Sequence, residues 1–98
     1  MPEFPGGAGN FGLFLSRNIR YPISARDGNS QGKVIVGFVI EVDGSLSDLR
    51  IIQGAGTDLN EEALRVMKLS PKWLPGMQSG RPVRVAYSVP INFTLSRE

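Results

Sequence analysis

Ninety-eight residues carrying a net charge of +2 make one domain, and the scattered charges leave no basic stripe for nucleic acid. Histidine and cysteine are both absent, which removes disulfides, thiolate chemistry, the commonest general base and the commonest metal ligand. No apolar run approaches the roughly 20 residues of a membrane-spanning helix, and no signal peptide is visible.

Met1 to Asn10 holds two prolines and three glycines and reads as a linker, with the domain expected over 11–98. Phe11, Phe14, Leu15 and Ile19 then follow at helical spacing, with Asn10 as N-cap. Tyr21-Pro22 ends that helix, because a residue before proline is pushed out of the α region. Ser24 to Gly32 is a polar loop, with room for one helical turn after Pro22.

Lys33 to Val42 is the clearest strand. Val34, Val36, Phe38, Ile40 and Val42 share one face, and Ile35 and Val39 make the other partly apolar. Asp43-Gly44 is a hairpin signal. Leu46 to Ile52 returns, its apolar phase slipping between Leu46 and Leu49 as a β-bulge requires. Asp58 to Leu69 is an amphipathic helix with Leu59, Ala63, Val66 and Met67 as its stripe. Asp58 and Glu61 have capping-box spacing. Glu61 and Glu62 are adjacent, so they do not face each other as a catalytic pair would.

A turn-rich stretch from Pro71 follows, in which Trp73 is expected to plug the end of the core. Val83 to Leu95 then alternates strictly: Val83, Val85, Tyr87, Val89, Ile91, Phe93 and Leu95 are apolar, and the residues between them are small or polar. The run is more than twice the usual strand length of about 5–6 residues, and it carries Pro90, which central strands exclude.

The fold class is therefore α+β: a three-stranded antiparallel sheet ordered second–first–third, with two helices on one face. The first strand is apolar on both faces and belongs in the middle. The third lies at an edge, where one side can lose an N–H freely, and is expected to overhang its neighbour.

"YPISARDGNSQGKVIVGFVIEVDGSLSDLRI" and "LNEEALRVMKLSPKWLPGMQSGRPVRVAYSVPINFTL" together resemble the TonB C-terminal domain family. The shared marks are a Tyr-Pro, a Gly-x-Val-x-Val-x-Phe strand ending in Asp-Gly, a Glu-Ala helix, Trp-x-Pro-Gly, Gly-x-Pro-Val and a final Pro-Ile-x-Phe strand. Asp-Gly alone is commonplace; the order and spacing, over about 10–95, are specific. "MPEFPGG" with "FLSRNIRYP" resembles the lead-in of Bacteroides-type members.

The resemblance implies a periplasmic domain of an inner-membrane-anchored Gram-negative protein coupled to ExbB/ExbD. Such a domain grips the TonB box, a short peptide of an outer-membrane receptor, as a strand added beside its last strand. It would thereby drive uptake of a siderophore, vitamin or glycan. Carried onto this chain, the partner-binding residues are Arg84, Val85, Ala86, Tyr87, Ser88 and Val89, together with Arg20, Tyr21 and Pro22. Where relatives carry a glutamine-rich stretch before the Tyr-Pro, this chain reads Asn18-Ile19-Arg20. Arg17, Arg20 and Arg84 face either acidic receptor groups or solvent. About five net hydrogen bonds of about 1 kcal/mol each, less ordering costs, give roughly micromolar binding. No enzyme activity, cofactor, metal or nucleic-acid partner is expected. Two further readings stay open: a module appended to a membrane sensor or metallopeptidase, and a strand-exchanged homodimer through the same edge.

Overall fold

The computed structural model describes residues 2–95. The last three positions of the expected domain, 96–98, lie outside the described residues. Three helices and five strands run in the order α1 (Ala8–Asn18), α2 (Ile23–Asp27), β1 (Gly32–Ile40), β2 (Leu46–Gln53), α3 (Thr57–Lys68), β3 (Gly76–Gln78), β4 (Arg81–Val83) and β5 (Val85–Phe93). The main sheet is antiparallel and ordered β2-β1-β5, as the two-sided apolarity of β1 predicts.

One face of the sheet carries the core. Val34, Val36, Phe38 and Ile40 of β1 meet Val89, Ile91 and Phe93 of β5 and Leu59, Ala63, Val66 and Met67 of α3, all buried. The bulge in β2 is present: Gly37 pairs with Arg50 and Val39 with Ser47, so three steps on β2 oppose two on β1. Asp48 absorbs the extra residue at φ 53°, a left-handed conformation that Asp tolerates better than most residues.

The β1–β2 hairpin closes on a longer loop than Asp43-Gly44 alone. β1 stops at Ile40, two residues before the expected Val42. Glu41 N–H donates to Ser45 O, Gly44 N–H donates to Glu41 O, and Asp43 Oδ1 accepts from the Ser45 N–H and hydroxyl. Gly44 sits at φ +89°, and a Cβ there would lie 2.1 Å from the Trp73 carbonyl oxygen. Glycine is thus required at the point where the loop meets Trp73.

Three expectations need correction. The first concerns residues 2–10. Phe4 is buried, Glu3 and Leu74 form an isolated antiparallel bridge, and α1 begins at Ala8. Phe4 pins the segment, Gly7 at φ 92° turns it, and the helix starts from there, so Asn10 lies inside α1 rather than capping it. The second concerns the last strand. β1 pairs with β5 residue for residue from Gly32↔Phe93 to Ile40↔Val85, so there is no overhang. Of the surplus, Val83 belongs to a separate hairpin, β3–β4, while Arg84, Thr94 and Leu95 lie outside the strands. The Ser79-Gly80 turn of that hairpin has positive φ at both positions, the primed geometry that suits hairpin twist. The third concerns the capping box. Asp58 accepts the Ser24 hydroxyl instead, tying α2 to α3, and Gly56 occupies the N-cap.

Among the described residues Glu62 is the one buried charged side chain. Its carboxylate accepts the Arg20 N–H at 2.6 Å and two guanidinium N–H groups of Arg65 at 2.7 Å. Burial alone would raise its pKa; the Arg65 guanidinium and the Arg20 N–H outweigh burial and hold the carboxyl below its ordinary value. A lowered folded-state pKa stabilises the protein above the unfolded value of about 4.3, and that contribution is lost as pH falls through the folded value. Glu62→Gln is expected to cost about 1–2 kcal/mol at neutral pH, discounted for the half-exposed Arg65. Urea unfolding at neutral and acid pH checks this: the variant should lose least, relative to wild type, in acid.

Candidate functional site: the free edge of β5

β5 has β1 on one side and no strand on the other among the described residues. Its side chains divide by parity. Val85 and Tyr87 are half-buried and Val89, Ile91 and Phe93 buried on the helix side, while Ala86, Ser88, Pro90 and Asn92 are exposed on the opposite face.

Pro90 fixes which backbone groups look outward. It pairs with Ile35 in an unbroken register. A proline facing β1 would delete a ladder bond, so its nitrogen faces the free edge. In an antiparallel strand the N–H and C=O of one residue point the same way, and the direction alternates along the chain. Ala86 and Ser88 therefore present both groups outward, as Pro90 presents its carbonyl. Val85, Tyr87 and Val89 bond to β1. Six consecutive residues expected as contacts thus split into outward backbone (Ala86, Ser88) and inward anchors (Val85, Tyr87, Val89), with Arg84 apart.

Arg84 lies between β4 and β5, and its guanidinium is held within the domain. Nε donates to Glu41 Oε1 at 2.7 Å and Nη2 to Oε2 at 3.2 Å. The Arg84 hydrogen bond, followed by that from the Ser47 hydroxyl, lowers the Glu41 pKa, and Glu41 in turn raises that of Arg84. The pair laces the end of β5 to the end of β1.

Arg20, Tyr21 and Pro22 sit at the other end of the strand. The Tyr21 ring stands edge-on to Phe93 at 5.9 Å, its hydroxyl donates to the Ser30 carbonyl, and Pro22 occupies the N-cap of α2. Phe93 lies four residues beyond Val89, so the two expected groups flank one strand without meeting. Arg17 and Arg20 are exposed.

A wall unforeseen in the sequence stands beside the free edge. Phe4 packs on Phe11 at 5.3 Å, Phe14 at 5.4 Å and Trp73 at 5.6 Å. Trp73 in turn meets Phe11, Phe38 and Tyr87 at 5.5, 5.4 and 5.9 Å, and its Nε1–H donates to Ser70 Oγ. α1 thus reaches the sheet through Phe4 and Trp73. Between this cluster and Tyr87–Pro90 lies an apolar groove of about 360 Å³. The only signal for it in the sequence is one phenylalanine between two prolines in a segment that otherwise reads as linker.

No group of three or more metal-ligating side chains exists among the described residues, and none of their helices is long and apolar enough to cross a membrane. An open strand edge beside an apolar groove is the geometry that strand addition of an extended peptide requires. The chain belongs to the Gram-negative bacterial TonB protein C-terminal family, which matches residues 17–95. Protein TonB of Helicobacter pylori, in two strains, is 31% identical over 85 residues, 86% of this chain. This chain spans only 28% and 29% of those relatives. Two solution structures of the Helicobacter pylori TonB C-terminal domain superpose with TM-scores of 0.67 and 0.65 at 27% and 29% identity. They cover 96% and 91% of this chain, which covers 89% and 94% of theirs. Membership makes the domain a non-catalytic one. The finer likeness of the lead-in to Bacteroides-type members finds no support in these relatives.

Proposed function

We propose that this domain binds the TonB box of outer-membrane receptors in the Gram-negative periplasm, as a strand added to β5, and so transmits energy for nutrient uptake. Coupling to ExbB/ExbD would run through an anchored segment N-terminal to this domain. The observation that carries the reading is the regular outer edge of β5, which has no strand beside it among the described residues, with Ala86 and Ser88 inferred to present donor and acceptor together. Family membership supports it. The nutrient, whether siderophore, vitamin or glycan, is chosen by the receptor, since main-chain pairing reads no side chain.

An amide-shift titration with a synthetic TonB-box peptide tests this. Ala86 and Ser88 are expected to shift most, with saturation in the micromolar range. Shifts confined to the Asp43-Gly44 loop or α3, with β5 silent, would refute it. Shifts in β5 that grow on concentrating the protein alone would instead favour the strand-exchanged homodimer.

A further inference from the structure

Main-chain pairing fixes a peptide beside β5 but not its register, because every residue offers the same backbone. The groove beside Tyr87–Pro90 supplies what the edge lacks. It lies on the helix side of the sheet, the face to which Tyr87 and Val89 point. A strand added next to β5 presents alternate side chains on that same face. One of them must therefore enter the hollow between β5 and α1. The hollow is walled by half-buried Phe11 and Leu15, buried Phe4 and half-buried Tyr87. At about 360 Å³ it sits at the small end of ligand pockets, suited to a side chain rather than a whole ligand.

We propose that this groove is a side-chain pocket that takes one large apolar residue of the receptor peptide and thereby sets the peptide's register and selects among peptides. The proposal rests on strand addition to β5. The occupant is an extended peptide because the groove is continuous with the outward N–H and C=O groups of Ala86 and Ser88, which need a backbone partner. Its residue is apolar because the walls are. Phe4, Phe11 and Leu15 all precede residue 17, where the family match begins. The pocket's outer wall therefore lies outside the matched span and can vary between transducers without altering the shared sheet.

Gly12 provides a test that spares the fold. It lines the groove from α1, and a Cβ there meets nothing within 4 Å. Gly12→Leu fills the hollow, and it raises helix propensity rather than lowering it. The probe is a synthetic TonB-box peptide and a series in which each apolar residue is changed singly to Ser. Affinity is read by amide-shift titration and stability by urea unfolding. One serine position is expected to weaken binding about tenfold or more, the loss of one buried aliphatic side chain, while its immediate neighbours change it less than about threefold, because neighbours point to the other face. Gly12→Leu is expected to weaken the parent peptide by a similar factor, with unfolding unchanged or shifted to higher urea. A flat serine series, or wild-type affinity in Gly12→Leu, with Ala86 and Ser88 still shifting, would overturn the pocket and leave strand addition standing. A silent β5 at all peptide concentrations would overturn both.

Discussion

Ser88→Pro is expected to abolish peptide binding while leaving the domain folded. Ser88 has the parity of Pro90, so its N–H is absent from the ladder to β1 and available to a partner. A proline there removes that donor and projects its ring toward the incoming strand. It restricts Tyr87 to extended backbone, which Tyr87 already adopts. Loss of two or more net hydrogen bonds, at about 1 kcal/mol each, and the added clash predict a fall in affinity of at least about thirtyfold. Ser88→Ala, which keeps the main chain, should bind within about twofold of wild type. Val89→Pro, one place along and so out of phase, with no such freedom, should unfold the sheet, since Val89 is buried and faces β1. Calorimetric titration with a TonB-box peptide, alongside circular dichroism, separates the three. Wild-type affinity in Ser88→Pro would remove the edge as the docking site, and unfolding of that variant would show that the parity inferred from Pro90 is reversed.

Trp73→Ala is expected to bring the domain close to its unfolding limit. Trp73 is 4% exposed and stands at the junction of Phe4, Phe11, Phe38 and Tyr87. Truncating a buried tryptophan costs about 3–5 kcal/mol, against a total stability of about 5–15 kcal/mol for a domain of this length. The urea midpoint should fall by at least about 1 M, and α1 with the Phe4 segment should detach first. Trp73→Phe, which loses the Nε1–H bond to Ser70 but keeps an apolar ring, should fall less. Because this is the sole tryptophan, unfolding is followed by far-ultraviolet circular dichroism. A midpoint unchanged in Trp73→Ala would mean that the aromatic cluster does not hold the N-terminal elements.

What the sequence disclosed and what it hid follow from the range of the interactions concerned. The order of the main sheet was legible because Ile35 and Val39 make β1 apolar on both faces, which only a central strand requires. The β2 bulge was legible because a slip in apolar phase between Leu46 and Leu49 has one cheap structural remedy. Pro90 is the one residue in the strand whose chemistry names its own orientation, and from it the outward parity of Ala86 and Ser88 is inferred. The Phe4 anchor was hidden because a lone apolar residue has no period, and its Pro/Gly surroundings match those of a linker. β3 and β4 were hidden because three residues are too few to alternate, although Ser79-Gly80 marked their turn. The Arg84–Glu41 pair spans 43 residues of sequence, and the Arg20 N–H that binds Glu62 is a backbone group with no letter of its own.

The bridge between Glu3 and Leu74 has a mechanical consequence. Two hydrogen bonds, 3.1 and 2.8 Å long, and the seated Phe4 ring fasten the chain upstream of α1. Tension arriving from the N-terminal side therefore passes into Leu74 and Trp73, and from Trp73 into Phe38 and Tyr87 of the sheet. While that fastening holds, α1 is slack and carries no load. The β1–β5 ladder joins nine residues to nine and resists shear along its whole length, whereas the fastening is two bonds and one ring. Under rising load it yields first, and α1 then pays out as extensible chain. On the proposed function, in which tension arrives from the N-terminal side, this fastening would act as a shock absorber in series with the sheet, giving way and lengthening the chain before a partner could be stripped from β5.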